Sequence, residues 1–181
     1  MNQDTYQVSD REAHIILAVN DATLLMDLFE LDLIEQFFEL PFDSHVTQLV
    51  IQQLEEYQIL GLKKFIEIKR LTVRYLTLTE IGNLNVNQLD TMCLTQEDLS
   101  IYFHAKKLPT CMILTADNRL KKEAKRQGFE VQGILWVFEK LVETKILSSE
   151  IAILKLDILM QLNAGITEID CNEIKKKWII L

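Results

Sequence analysis

The sequence is poor in the residues that interrupt or cross-link a chain. Its 181 residues include only five glycines, two prolines and three cysteines. So little Gly and Pro, together with 49% hydrophobic residues, excludes a collagen-like or disordered chain and favours a compact fold rich in helix. The cysteines at positions 93, 111 and 171 lack C-x-x-C spacing and clustered histidines. The sequence therefore supports neither a disulfide framework nor a zinc site.

Long apolar segments and a basic charge excess are also missing. The longest apolar runs, such as residues 15–19, fall far short of the roughly 20 residues that cross a bilayer, and no signal pattern opens the sequence. We therefore predict a cytoplasmic protein without membrane contact. The net charge of −8 argues against broad electrostatic binding of nucleic acid, because phosphate contacts need clustered Lys and Arg. Any RNA contact must be local.

Short apolar runs alternate with helical patterns along the chain. The continuous runs at 15–19 and 111–114 predict buried parallel strands, and shorter strands are predicted at 45–46, 65–68 and 130–131. Helical spacing of apolar residues predicts helices at 24–38, 49–54, 99–108, 119–127, 134–144 and 151–162. Gly128 and Gly165 are placed to end two of them.

This alternation predicts an α/β fold with three layers, in which helices flank a short, mainly parallel sheet. A chain of this length suits one domain, residues 1–181, with a flexible N-terminus at 1–12 and a C-terminal helical extension at about 149–181. In open α/β sheets, sites lie beyond the carboxyl ends of the strands. Function is therefore expected at that edge.

Three aspartates fall where that edge and the helix starts are predicted. Asp21 follows the first strand, Asp117 follows the strand at 111–114, and Asp98 opens a helix behind Thr95 in a pattern that resembles a capping box. Each can be explained singly as a helix cap, since Asp is favoured there. A capping role, however, does not require the three aspartates to lie close together. Three carboxylates brought into one cleft would repel, and a hard divalent cation such as Mg²⁺ or Mn²⁺ resolves that repulsion.

Four segments of the chain also resemble a known family. They read ILAVNDATLL at 16–25, DLSIYFHAKKL at 98–108, ILTADNRL at 113–120 followed by Ala124, and GFEVQGIL at 128–135. Together they are similar to PIN domains, in particular to a prokaryotic branch related to the toxin nucleases of toxin–antitoxin pairs. The resemblance covers the chain from about residue 15 to its C-terminus.

The resemblance implies a metal-dependent ribonuclease in which Asp21, Asp98 and Asp117 are the catalytic metal ligands. The family's fourth acid, a glutamate, falls on Gln53, which is a weaker ligand for a hard cation than a carboxylate. Glu56 is the candidate replacement, because three residues further on it is expected to share the helix face of Gln53. The other interpretation of Glu56 is a solvated helix surface.

Other polar residues near the aspartates have assigned roles with open alternatives. Thr23, Thr115 and Gln53 are expected to orient carboxylates or water beside the ligands, although the threonines could equally serve as caps or turn residues. The basic residues after Asp117 are candidates for RNA backbone contacts, or form a solvated helix face: Arg119, Lys121, Lys122 and Lys125. A second basic patch at 175–177 is better explained by a C-terminal tail that docks through Trp178.

Three hypotheses remain open at this point. The first is an active metal-dependent ribonuclease. In its narrower form, this ribonuclease is the toxin of a toxin–antitoxin pair, and an antitoxin-like protein covers the cleft. The second is a weakened PIN-like protein that binds RNA or protein. The third is a plain α/β domain in which all three aspartates are caps. A homodimer through the apolar helix surfaces at 24–38 is a further expectation, and burial in the core explains those residues equally well.

Overall fold

The computed structural model describes residues 16–19, 21–90, 94–108, 110–162 and 166–179. In this part of the chain, five strands form one sheet. Their bounds are β1 Ile16–Val19, β2 Asp43–Thr47, β3 Leu71–Arg74, β4 Cys111–Leu114 and β5 Glu130–Gln132. The strand order is β3-β2-β1-β4-β5, and every pairing is parallel. The predicted α/β fold with a parallel sheet is confirmed.

Ten helices accompany the sheet within the described residues. They are α1 Ala22–Glu30, α2 Ile34–Glu39, α3 Gln48–Ile51, α4 Glu56–Glu67, α5 Leu78–Asp90, α6 Gln96–Ala105, α7 Asn118–Arg126, α8 Ile134–Glu143, α9 Ser149–Leu162 and α10 Glu168–Ile179. None of the described helices is both long and apolar enough to cross a membrane. Gly128, in the left-handed region with a φ of 86°, follows α7 as predicted. The helix end predicted at Gly165 lies outside the described residues.

The centre of the sheet is covered by α6. This helix contacts β1, β2 and β4, and its residues Leu99, Ile101 and Ala105 are fully buried. One polar contact joins helix and sheet inside this apolar layer, because the hydroxyls of Thr47 and Ser100 lie 2.7 Å apart and both side chains are buried. A buried hydroxyl pair of this kind satisfies both groups and fixes the register of the helix on the sheet.

The predicted strand at 65–68 is wrong, since these residues end α4 and continue into its C-cap, Ile68. A capping box between Glu55 and Gln58 starts the helix, and the buried residues Leu62 and Phe65 stand three apart on one helix face. Ile68 is 65% exposed, so the alternation that favoured a strand does not reflect burial. The strand forms afterwards as β3, following Lys69, which has a φ of 60°.

Two predicted helices are shorter than their patterns indicated. The span 24–38 is divided into α1 and α2, with Asp32 in the left-handed region at a φ of 52°. The span 49–54 contains only the short α3, which ends at Ile51. Helix α5 and strand β3 were not predicted, whereas α6, α7, α8 and α9 match predicted helices to within a few residues.

The apolar surfaces at 24–38 belong to the core. Leu24, Leu25 and Leu28 are fully buried, and Phe37 and Phe38 are nearly so. A dimer interface could not use these side chains without opening the core. A homodimer therefore stays a prediction, and its interface would have to lie on another surface. The C-terminal docking expected for Trp178 is observed, because its ring is buried and stacks on Phe138 with centroids 6.3 Å apart.

Candidate active site

A polar cleft of about 280 Å³ lies beyond the carboxyl ends of β1 and β4. These two strands are neighbours at the middle of the sheet, so the turns that follow them are brought side by side. The third contribution comes from the N-terminus of α6, which packs across the same strands. Ten residues line the cleft: Asp21, Ala22, Thr23, Gln53, Thr95, Glu97, Asp98, Ala116, Asp117 and Arg119.

Asp21 joins the ends of the two strands. It is the N-cap of α1, and its Oδ1 accepts a hydrogen bond of 2.8 Å from the backbone N–H of Thr23. Its Oδ2 accepts a second hydrogen bond, also 2.8 Å, from the backbone N–H of Ala116 in the turn after β4. The carboxylate therefore serves as a cap and, at the same time, holds the other side of the cleft in place.

Asp98 lies in the first turn of α6 and is buried. Its Oδ2 accepts from the backbone N–H of Thr95, whose hydroxyl accepts in return from the N–H of Asp98, and this exchange completes the predicted capping box. Burial raises the pKa of Asp98, the hydrogen bonds from Thr95 oppose that rise, and the charges of Asp117 and Asp21 add to it. Asp98 is thus the carboxylate that the other two make harder to ionise.

Asp117 is the N-cap of α7. Its Oδ1 accepts from the backbone N–H groups of Arg119 and Leu120, at 2.7 and 3.0 Å, and its Oδ2 accepts from the Arg119 guanidinium at 3.0 Å. Burial acts to raise the pKa of Asp117, but these hydrogen bonds outweigh it and leave the pKa below its ordinary value. Asp117 therefore stays ionised beside Asp98.

Thr115 supports Asp117 from inside the fold. The residue is buried, and its hydroxyl accepts a hydrogen bond of 2.9 Å from the backbone N–H of Asp117. Its own backbone N–H donates to the carbonyl of Gln132 in β5. The turn between β4 and α7 is therefore fixed on both sides. Thr23, by contrast, reaches Asp21 through its backbone N–H, and its exposed side chain lines the cleft.

Capping and convergence turn out to be compatible. Each of the three aspartates caps or opens a helix, as the plain interpretation required. The same three also line one cleft, which that interpretation did not require. The helix starts hold each carboxylate in a fixed direction through backbone N–H groups, and the parallel sheet brings the helix starts together.

Gln53 lines the cleft, but Glu56 does not. The two residues do not share a helix, because α3 ends at Ile51 and α4 begins at Glu56. Gln53 lies in the turn between them, where its backbone N–H bonds to the carbonyl of Val50. The expectation that Glu56 lies on the helix face of Gln53 is therefore wrong, since the turn separates them.

Glu97 is the acidic residue of the cleft that sequence reasoning missed. It lies in the first turn of α6 beside Asp98, is half-buried and lines the cleft. Its position inside the capping box TQED is visible in the sequence, but a capping box engages only the side chains of its first and last residues, so the pattern gives Glu97 no role. With Glu97, four carboxylates line the cleft, against one cation, Arg119.

The cleft offers the oxygen ligands that a hard divalent cation prefers. In the described ranges, however, no three His, Cys, Asp or Glu side chains stand ready as a metal-ligand cluster. The three aspartates are engaged with backbone N–H groups or with Arg119. A carboxylate oxygen that accepts one such bond keeps a second lone pair, whereas the Oδ1 of Asp117 already accepts two bonds. The donor chemistry fits Mg²⁺ or Mn²⁺, and binding would require the side chains to draw closer.

The four predicted RNA-contacting residues all lie on α7, but they face different surroundings. Arg119 lines the acidic cleft, whereas Lys121 lines a neighbouring cavity. Lys122 and Lys125 are exposed on the helix surface. At the C-terminus, Lys175 and Lys177 pair with Asp157 and Glu139, so the second basic patch is largely compensated.

Comparison with known proteins agrees with this architecture. No curated protein matches the chain. A family model described as a PIN domain matches residues 17–178, which takes in all five strands except the first residue of β1 and nearly all of the helices. The PIN domain is a nuclease-type fold. The match excludes the third hypothesis, in which a plain α/β domain resembles the family only by accident. The chain belongs to the PIN-domain family.

Proposed function

We propose that this protein is a metal-dependent ribonuclease that hydrolyses phosphodiester bonds at the acidic cleft. The observation that carries the proposal is the convergence of Asp21, Asp98 and Asp117 at neighbouring strand ends of a PIN domain. Their sequence positions are far apart, and helix capping alone gives no reason for them to meet. A shared function is the simplest reason for bringing like charges together.

The aspartates would hold the cation, Mg²⁺ or Mn²⁺, through their carboxylate oxygens. A divalent cation bound there lowers the pKa of water and neutralises charge that develops on the phosphate. Glu97 supplies a fourth carboxylate from the first turn of α6, and it would take the role of the acid missing at position 53. Thr115 keeps Asp117 in place, and a cation would offset the repulsion that Asp21 and Asp117 exert on the Asp98 carboxylate.

Arg119 and the lysines of α7 would bind the substrate. Arg119 now pairs with Asp117 across 3.0 Å, and a cation at the cleft would compete for that carboxylate. The released guanidinium would stand at the cleft mouth, where it can bind a phosphate oxygen. Lys121, Lys122 and Lys125 would contact the RNA backbone along the same helix. This local basic surface offsets the overall charge of −8.

A second candidate is a catalytically weakened PIN-like protein that acts by binding RNA or protein. It is favoured by the neutral Gln53 in the cleft and by the lack of a ready ligand cluster among the described residues. A narrower form of the first candidate is a toxin role, in which an antitoxin-like protein covers the cleft. This narrower form rests on the resemblance of the sequence motifs to the toxin nucleases of toxin–antitoxin pairs.

The deciding experiment measures the melting temperature in EDTA, Mg²⁺ and Mn²⁺, together with cleavage of an end-labelled RNA. We expect a metal-dependent rise, because a ligand that binds only the folded state stabilises it, and metal-dependent cleavage. Both should vanish in Asp21→Asn with Asp117→Asn. Asp32→Asn is the control, since Asp32 is exposed outside the cleft and has the positive φ that Asn tolerates.

The outcomes separate the candidates. RNA cleavage that survives in the double variant would overturn the proposed site. A protein that binds RNA but shows neither cleavage nor a response to metal at millimolar concentration would support the weakened binding protein. Glu97→Gln tests the fourth carboxylate, because its loss should weaken the metal response, whereas Glu56→Gln should leave it unchanged.

A further inference from the structure

A second cavity adjoins the acidic cleft on the side of β5 and α8. Its volume is about 340 Å³, near the lower end of the range for small-molecule sites. Ala116 lines both cavities, so they meet at the turn between β4 and α7. A substrate whose phosphate lies among the aspartates would have its neighbouring group directed along this turn. The second cavity is therefore in position to bind part of the same molecule.

Two side-chain amides provide its hydrogen-bonding groups. Gln132, at the end of β5, and Asn118, at the start of α7, both line the cavity. Across the described residues, neither amide has a hydrogen-bond partner, and Gln132 is only half-buried. Each amide presents a donor and an acceptor side by side. That is the pattern that pairs with the edge of a nucleobase.

Another part of the lining is apolar. It consists of Ile134, Leu135 and Trp136 of α8 and of Ile166. Trp136 already stacks on Phe42 with centroids 5.5 Å apart, and the Nζ of Lys140 lies 5.6 Å from its ring centroid. Its indole is therefore held in place. A flat, largely apolar group with polar edges suits a space that is lined by both apolar side chains and amides.

The charges at the cavity argue for a neutral group. Glu139 and Asp170 line it together with Lys121. Glu139 pairs with Lys177 at 2.7 Å, and Asp170 accepts from the hydroxyl of Thr167 at 2.6 Å. Because Lys177 compensates Glu139, the lining has no excess of positive charge that would bind a phosphate. The two carboxylates favour a base with an exocyclic amino group, because a carboxylate oxygen can accept from that group.

We propose that this cavity binds the nucleobase next to the scissile phosphate, with Gln132 and Asn118 contacting its edge. The proposal rests on the proposed nuclease function, since it places the base relative to the phosphate in the acidic cleft. The proposal predicts that the cavity prefers some nucleobases to others. Adenine, guanine and cytosine carry an exocyclic amino group and bind more tightly than uracil, which carries none.

The test uses the full chain in EDTA, so that it depends on neither metal nor cleavage. Nucleosides are the probes, because they carry no phosphate that the four carboxylates of the cleft would repel without metal. Adenosine, guanosine, cytidine, uridine and ribose are titrated while the side-chain amide signals of Gln132 and the indole signal of Trp136 are followed by NMR. We expect saturable shifts with the nucleosides, weakest for uridine, and none with ribose. Equal binding of ribose, or no shift with any nucleoside at millimolar concentration, would overturn the proposal.

Variants identify the contacts. Gln132→Ala and Asn118→Ala should each weaken adenosine binding about threefold to tenfold, the loss expected for one hydrogen bond. Gln161→Ala is the matched control, because this exposed glutamine lies on α9 and lines neither cavity. Unchanged adenosine affinity in both cavity variants would contradict the assignment. Asn118 is exposed, so its variant keeps the test valid even if Gln132→Ala disturbs β5.

The two proposals fail in different ways. Nucleoside binding without any RNA cleavage would overturn the nuclease function and leave the base-binding cavity standing. Cleavage by a protein whose cavity variants bind every nucleoside as the parent does would leave the nuclease standing and overturn the cavity.

Discussion

Helix α6 carries a buried aspartate and a buried histidine that differ in their hydrogen-bond partners. Asp98 in its first turn lies among other carboxylates, and its Oδ2 accepts from a backbone N–H. His104 in its last turn stacks on His45, with ring nitrogens 3.0 Å apart, and its Nδ1 is buried without a partner in the described structure. Burial raises the pKa of Asp98 and lowers the pKa of His104 to about 4.

The difference lies in what surrounds each group. The N-terminus of a helix offers N–H donors and a positive dipole end, so a carboxylate can remain charged there and can recruit a cation. Arg74 and Lys107 lie near His104 and, with His45 and burial, oppose its protonation more than Glu80 favours it. One end of α6 therefore compensates a buried carboxylate with N–H donors, and the other end favours the neutral imidazole. Four predictions test that contrast.

The largest effect is expected from Asp98→Asn. Cleavage should fall roughly a hundredfold or more, since a charge that stabilises the transition state is lost. The metal-free protein should nevertheless melt at the same or a higher temperature, because the amide oxygen can still accept from Thr95 and the repulsion from Asp21 and Asp117 disappears. Activity assays and thermal melts in EDTA check both parts. A lower melting temperature would show that the carboxylate is structural.

The second effect is on the pH dependence of stability. The pKa values of His45 and His104 are lowered in the folded state, so the unfolded chain binds more protons between the ordinary value of 6.5 and about 4. Stability is therefore full above pH 6.5 and is lost as the pH falls through that window. His104→Gln should flatten the profile by about 1–3 kcal/mol. Denaturant melts across this range measure it, and parallel profiles would contradict the assignment.

The third effect concerns the support beneath Asp117. Thr115→Val keeps the shape of the side chain but removes the hydroxyl that accepts from the Asp117 N–H. We expect a loss of about 1–2 kcal/mol in the free energy of unfolding and a loss of roughly tenfold in cleavage as the carboxylate loosens. Thr115→Ser restores the hydroxyl and should recover both. Denaturant melts and cleavage rates of the two variants are compared. Equal losses in Thr115→Val and Thr115→Ser would show that the hydroxyl does not support Asp117.

The smallest effect is expected from Arg119→Ala. The exposed pair with Asp117 is of the kind worth about 0.2–1 kcal/mol, so its removal should lower the half-saturating metal concentration by no more than about fivefold. RNA binding should weaken in the same variant. Arg126→Ala is the matched control, because Arg126 pairs with Glu123 on the same helix, away from the cleft. A metal titration that uses the melting temperature as its readout distinguishes the two variants.

The sequence alone predicted much of the cleft because its parts depend on local patterns. The apolar run before Asp21 and the run CMIL before Asp117 each predict a buried parallel strand, and a parallel sheet places both carboxyl ends on one edge. The capping signals at all three aspartates were also local. The sequence therefore predicts that the three aspartates lie close together. Their metal-binding and catalytic roles stay predictions.

The region between β2 and α6 was predicted poorly for equally physical reasons. Residues 65–68 alternate in hydrophobicity, yet the capping box at Glu55 and the packing of Leu62 and Phe65 favour a helix. Strand β3 lies at the edge of the sheet, and its residues are only partly buried apart from Leu71. Its apolar signal is correspondingly weak. The turn that separates Gln53 from Glu56 depends on tertiary packing of the buried Leu54, which no local pattern reveals.

The hydrogen bond from the Ala116 N–H to Asp21 spans 95 positions in the chain. It can form only after β1 and β4 have paired, and closing so long a loop is among the slower steps of folding. During synthesis, a chain that has not yet exposed β4 has Asp21 but no cleft. The cleft therefore assembles only after the ribosome has released β4, and any chemistry that needs the three aspartates together must wait for the finished sheet.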